Sequence, residues 1–319
     1  MRYETVIDSL GVRVECNSSY EQREILDKLL EYVRGSNSSY FINYKDHIIN
    51  PLSGAFNREY FIYGHSKTLA SISTMSYQVG KYRHQTVYYI KIIFAGIRQY
   101  DEFTDNLSLI CMMSICSWLY NLRLFPQLTE LDLGIDVESA YENMLVLPVK
   151  RVPNVNYYKP HEEQLYDSTV WIEKINPKRK DKVASRSYLY NRANKGQAEK
   201  EIVRFELKLQ TSFFSKKRTE HFTVMLDAII TALDRYAILH FTNINEQNMI
   251  IQQYNAIVES DLQNKSRKLQ GLEIDMYRLQ PNVSFISNYL QTVLTTHDFH
   301  TNMDDDSFVE MVIDTLKNG

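Results

Sequence analysis

Runs in which apolar and polar residues strictly alternate recur along this 319-residue chain. A period of two is the pattern of a strand whose two faces meet different surroundings. In EIVRFELKL, Val203, Phe205, Leu207 and Leu209 fall on one face and Arg204, Glu206 and Lys208 on the other. In LTELDLGIDVES, Leu131, Leu133 and Ile135 oppose Glu130, Asp132 and Asp136, so a single strand gathers three carboxylates on one side. A chain built from such runs is constrained to antiparallel sheet with one apolar face.

The remaining runs extend this reading. REYFIYG, SISTMSYQVG and TVYYIKIIFAG, between Phe41 and Gly96, read as an antiparallel meander, and YETVIDSLGVRVEC as a strand or hairpin. DSTVWIEKI, SRSYLYNR and EIVRFELKL read as a second, three-stranded meander. Between strands, SSYEQREILDKLLEYVRGS repeats Ile25, Leu26, Leu29, Leu30 and Val33 at helical spacing, with Ser18 or Ser19 to cap it and Gly35 to end it. The apolar stretch Leu107 to Leu122 falls short of the roughly 20 residues of a membrane span and reads as a buried helix. Residues 140–168, with Pro148, Pro153 and Pro160, read as irregular, and beyond Ser215 the signals become helical. The expected class is α+β, an antiparallel sheet with helices on one face. The expected division is an α+β region over 1–215 and a helical C-terminal region over 216–319.

Charge is distributed unevenly. The net charge is −3, yet the window from Lys174 to Arg218 holds fourteen Lys and Arg against four Asp and Glu, a local +10 that leaves −13 for the rest. Lysine-rich turns are usually solvated surface. Aromatic residues between the cations favour single-stranded nucleic acid, whose bases stack on rings beside positive charge. Three cysteines, Cys16, Cys111 and Cys116, cannot make a disulfide framework, and the N-terminus lacks the apolar centre of a signal peptide, so a reduced, cytoplasmic protein is expected.

The polar faces suggest chemistry. In SRSYLYNR, Arg186, Tyr188, Tyr190 and Arg192 share a face, and pairing of the strands brings it beside the carboxylates. Carboxylate oxygens suit Mg²⁺ or Mn²⁺, hard cations that also bind phosphate oxygens. A phenol titrates near 10, so a tyrosine becomes a nucleophile at neutral pH only where cations stabilise its anion. The plain alternative stands beside this, because any half-solvated antiparallel strand alternates and tyrosine is favoured in strands. His297 and His300, before Asp304 to Asp306, read as the charged start of a terminal helix. Gly-rich phosphate loops, HExxH and GxSxG are absent from the sequence.

A YxIKI strand at Tyr89 to Ile93, the apolar helix, LTELDLGIDV, TVWIEKI, SYLYNR and IVRFELKLQTSFF resemble, in order and spacing, the rolling-circle replication initiators of filamentous phages and related plasmids. The resemblance spans roughly residues 60–215, RFE being its most specific motif. It implies a nicking-nuclease palm and a DNA nicking and joining enzyme. Asp132 and Glu206 match the family's metal ligands, with Asp136 or Glu130 as further candidates. Tyr190 matches the nicking tyrosine, and Tyr188 is its rival on the same face. In this reading Arg186, Arg192 and Arg204 contact phosphate, and Lys178, Arg179, Lys180 and Lys182 grip the DNA backbone. The implied cofactor is Mg²⁺ or Mn²⁺. The implied partners are origin DNA and a host helicase or polymerase, with no membrane. Two other readings remain open: a DNA-binding replication or regulatory protein without catalysis, and a protein-interaction module.

Overall fold

The computed structural model describes residues 1–50, 55–64, 67–79, 85–97, 107–150, 169–172, 185–193, 200–214, 222–264 and 274–295. In chain order come β1 (Tyr3–Cys16), α1 (Ser19–Ser36), β2 (Tyr40–Asn50), β3 (Ala55–Gly64), β4 (Lys67–Val79), β5 (Gln85–Ala95), α2 (Leu107–Asn121) and β6 (Gln127–Glu138). Then follow β7 (Met144–Pro148), β8 (Thr169–Trp171), β9 (Ser185–Asn191), β10 (Ile202–Leu209), α3 (Thr211–Phe214), α4 (Phe222–Leu233), β11 (Tyr236–His240), α5 (Ile244–Asn264) and α6 (Val283–Thr295). The class is α+β, as the alternating runs predict. Two compact units divide the chain, Met1–Val6 with Asp132–Val283 and Ile7–Leu131 with Ser284–Gly319. The boundary expected at 215 falls in 215–221, outside the described residues.

In the unit containing β2 to β5, consecutive strands pair antiparallel and β5 pairs with β1. Register decides the core. Leu10 lies opposite Phe94, Val12 opposite Ile92 and Val14 opposite Ile90, while Ala70 and Ile72 meet Phe94 and Ile92 from β4. All of these are buried, and the alternate positions Ser71, Ser73, Arg13 and Lys91 are only partly so. Ser18 caps α1 by accepting a hydrogen bond from the Glu21 amide, and its buried side is Ile25, Leu26, Leu29, Leu30 and Val33. Gly35 lies within its last turn, and the helix ends one residue later at Ser36. Helix α2 carries no charge and is buried almost all round, Ser108 included. The Tyr120 hydroxyl donates to the carbonyls of Val293 and Leu294 in α6, so the C-terminal helix belongs to this unit's core.

The other unit holds β10 between β6 and β9, with β8 beyond β9. It also holds a two-stranded sheet in which β11 pairs with β7, Ile238 opposite Val146. These two strands correct the sequence reading at both places. Residues 144–148 are a buried strand rather than irregular chain, and YAIL ends a helix only in pattern, because a turn at Asp234–Arg235 breaks α4 from β11. A short, continuously apolar run carries no periodicity, so a buried strand and a helical turn look alike in sequence.

Candidate active site

The register of β9 against β10 builds the site. Tyr188 stands directly opposite Glu206, and Tyr190 opposite Arg204. Side chains that face each other across an antiparallel pair lie on one side of the sheet, and diagonal neighbours are within reach of long ones. The Tyr188 hydroxyl therefore donates straight across to Glu206 Oε1 at 2.8 Å, while Tyr190 reaches diagonally to Oε2 at 2.7 Å. One carboxylate accepts from both phenols, and the rings lie 6.0 Å apart, centroid to centroid.

Strand β6 contributes the second carboxylate. Lys208, two places beyond Glu206 on the same face, puts Nζ 2.6 Å from Asp132 Oδ2 and 3.5 Å from Glu206 Oε1. Its ammonium also lies 5.9 Å from the centroid of the Tyr188 ring. Farther along, Arg204 grips Asp136 with two donors, Nε to Oδ1 at 2.5 Å and Nη2 to Oδ2 at 2.8 Å. Gly134 lies between the two aspartates because a side chain there would meet the arginine: a Cβ would sit 3.1 Å from Arg204 Nε and 2.8 Å from Val6 Cγ2.

The alternation that suggests a solvated polar face belongs to a buried one. Exposure is 7% at Tyr188, 4% at Tyr190, 3% at Glu206 and 8% at Asp132. Lys208, with 36% of its side chain exposed, is the cluster's opening to solvent. Burial also makes the pairing of Tyr188, Tyr190 and Asp132 with their partners matter, since an unpaired buried polar group is expensive. Burial, then the negative charge of Glu206 and Asp132, holds the Tyr188 phenol far above its ordinary value.

Among the expected site residues, Tyr188, Tyr190, Asp132 and Glu206 converge, and the others go elsewhere. Asp136 pairs with Arg204, and both are buried, so in this structure the arginine faces a carboxylate. Arg192 is likewise buried, its backbone N–H donating to the Ile202 carbonyl. Of the three arginines only Arg186, opposite Lys208, is partly exposed. Glu130 belongs to the other unit, where it pairs with Lys91 at 2.6 Å. Lys178, Arg179, Lys180 and Lys182, and the His297–Asp306 segment, lie outside the described residues. Lys208 is the member whose role sequence reasoning missed. Its signal was present, two residues from Glu206 on the same face of β10.

The donor chemistry fits a hard divalent cation at two carboxylates only. Asp132 and Glu206 already share one cationic group, the Lys208 ammonium, and oxygen pairs of this kind suit Mg²⁺ or Mn²⁺. Among the described residues no group of three or more His, Cys, Asp or Glu could hold a metal, so an ion there would complete its shell with water or phosphate oxygen.

No family model and no curated protein matches the chain. Among solved structures it is similar to a rolling circle replication initiator protein from Geobacillus stearothermophilus, 11% identical over 92% of this chain and 97% of that one, with a TM-score of 0.32. At that score the likeness does not establish a shared architecture. No helix among the described residues is long and apolar enough to cross a membrane.

Proposed function

We propose that the chain is a rolling-circle DNA replication initiator, a nicking and joining enzyme whose nucleophile is Tyr190, with Tyr188 as its neighbour on the same carboxylate. The observation that carries this reading is the bridging of two phenols by Glu206, with Lys208 and Asp132 completing the cluster. The motif resemblance at LDLGID, SYLYNR and RFE supports it independently.

In this reading the Tyr190 oxygen attacks the scissile phosphorus as its proton passes to Glu206, the carboxylate it already donates to. The bond between phosphorus and the 3′ oxygen breaks, that oxygen takes a proton from water, and the DNA is left with a free 3′-OH and a 5′-phosphotyrosine. The linkage keeps the energy of the broken ester, so attack by a 3′-OH rejoins the strand. A divalent cation on Asp132 and Glu206 would lower the cost of the phenolate and polarise the phosphate. Arg186, partly exposed at the end of β9, would meet a phosphate, and the partner at the nick would be a host helicase that unwinds the strand or a polymerase that extends the 3′ end. The net +10 of the window from Lys174 to Arg218, even with Arg192, Arg204 and Lys208 turned inward or paired, favours a DNA partner held through its backbone.

One observation favours a second reading, a DNA-binding replication protein that does not cut. Burial, then the negative charge of Glu206 and Asp132, holds the Tyr188 phenol far above its ordinary value, the opposite of what a nucleophile at that position needs. Supercoiled plasmid carrying the origin, incubated with the protein and Mg²⁺, separates the two. The enzyme gives an open circle with protein covalently attached, and Tyr190→Phe loses the adduct. If Tyr190→Phe and Tyr188→Phe both nick as well as the parent, the tyrosine assignment is wrong.

A further inference from the structure

We infer that Lys208 is a built-in counter-ion that holds Asp132 and Glu206 together and competes with a divalent cation for them. This rests on the reading above, in which these two carboxylates are the cation site. Four observations support it. The ammonium stands between the carboxylates, 2.6 Å from one and 3.5 Å from the other, where a shared cation would lie. The lysine brings a positive charge to two carboxylates that are both buried, where a cation offsets part of the cost of holding them side by side. Arg204, next along the same strand face, gives two donors to Asp136. Finally, the lysine is the exposed member of the group, its side chain 36% accessible against 11% for Asp132 and 4% for Glu206. A point charge on a flexible four-carbon stem at the mouth of a buried site can leave it without disturbing the strands.

The consequence is a ready-made exchange. While the ammonium is in place, the two carboxylates stay in register and the buried charge is partly neutralised. A divalent ion that enters must displace the ammonium, so affinity for the ion is set below what the carboxylates alone would give. The displaced ammonium turns to the solvent side, from which a phosphate would approach.

Mn²⁺ titration of the full-length protein, with free Mn²⁺ followed by electron paramagnetic resonance and no DNA present, tests this. Lys208→Met and Lys208→Gln, which keep the stem and remove the charge, should bind Mn²⁺ about tenfold more tightly than the parent, and Lys208→Arg should stay close to it. If neither neutral variant binds more tightly, or if both bind more weakly, the lysine is a support for the site and not a competitor, and the inference is overturned. The Asp132→Asn/Glu206→Gln double variant checks the premise separately. If it binds Mn²⁺ as the parent does, the cation site is elsewhere and the inference falls with it.

Discussion

Replacing Asp136 by asparagine isolates the cost of the buried ion pair beside the site. The substitution preserves shape and removes the charge that faces Arg204, whose side chain is wholly inaccessible. The two hydrogen bonds of 2.5 and 2.8 Å become contacts of a guanidinium with a neutral amide, and the buried positive charge loses the carboxylate it is paired with. Breaking one side of a buried pair costs about 3–5 kcal/mol, from about a fifth upward of the roughly 5–15 kcal/mol that holds a typical domain folded. With a urea dependence of about 3 kcal/mol/M, the unfolding midpoint should fall by about 1–1.7 M. Far-ultraviolet circular dichroism in a urea titration reads the unfolding midpoint. The companion variant Asp136→Leu/Arg204→Met removes both charges and should recover most of the loss, since a buried pair exchanged for apolar groups is close to neutral. A midpoint for Asp136→Asn within about 0.3 M of the parent, or a double variant as unstable as the single one, would refute the reasoning.

Gly134→Ala should destabilise by about 1–3 kcal/mol, because its Cβ would meet Val6 Cγ2 at 2.8 Å and Arg204 Nε at 3.1 Å; urea unfolding measures this, and Val6→Ala in the same chain should return part of it. The thiols of Cys111 and Cys116 are pushed up to about 12 by burial and that of Cys16 to about 11, so a colourimetric thiol reagent at pH 8 should find no fast-reacting cysteine until denaturant is added, then three. Tyr188 has a folded pKa above its unfolded value of about 10, so its neutral phenol contributes stability that is present below pH 10 and is lost as pH rises toward the folded pKa. Stability measured from pH 9 to 11 should therefore fall less steeply in Tyr188→Phe than in the parent, and an equal slope would count against the buried phenol.

Much of this architecture was legible because period two is a local signal. The meander of β2 to β5, the β8–β9–β10 group and the face shared by Tyr188, Tyr190 and Glu206 all follow from alternation and short turns. What alternation could not reveal is what covers a polar face. The side of β10 carrying Arg204, Glu206 and Lys208 looks solvated in sequence, yet pairing of those charges with β6 and β9 lets most of it be buried. For the same reason the pairing of Asp136 with Arg204 could not be read from the sequence, where both stand on an apparently open face. Strand β11 was hidden because Tyr236 to Leu239 is apolar on both faces, and its partner β7 is nearly a hundred residues earlier.

The most direct test of the proposed chemistry is to find the atom that becomes bonded to DNA. Supercoiled origin plasmid is incubated with the protein and Mn²⁺, the product is digested with nuclease and protease, and the nucleotide-bearing peptide is sequenced by mass spectrometry. The phosphate should lie on Tyr190, in the peptide that carries β9. A 5′-phosphate on any residue outside β9, or DNA bound tightly with no covalent product, would contradict it.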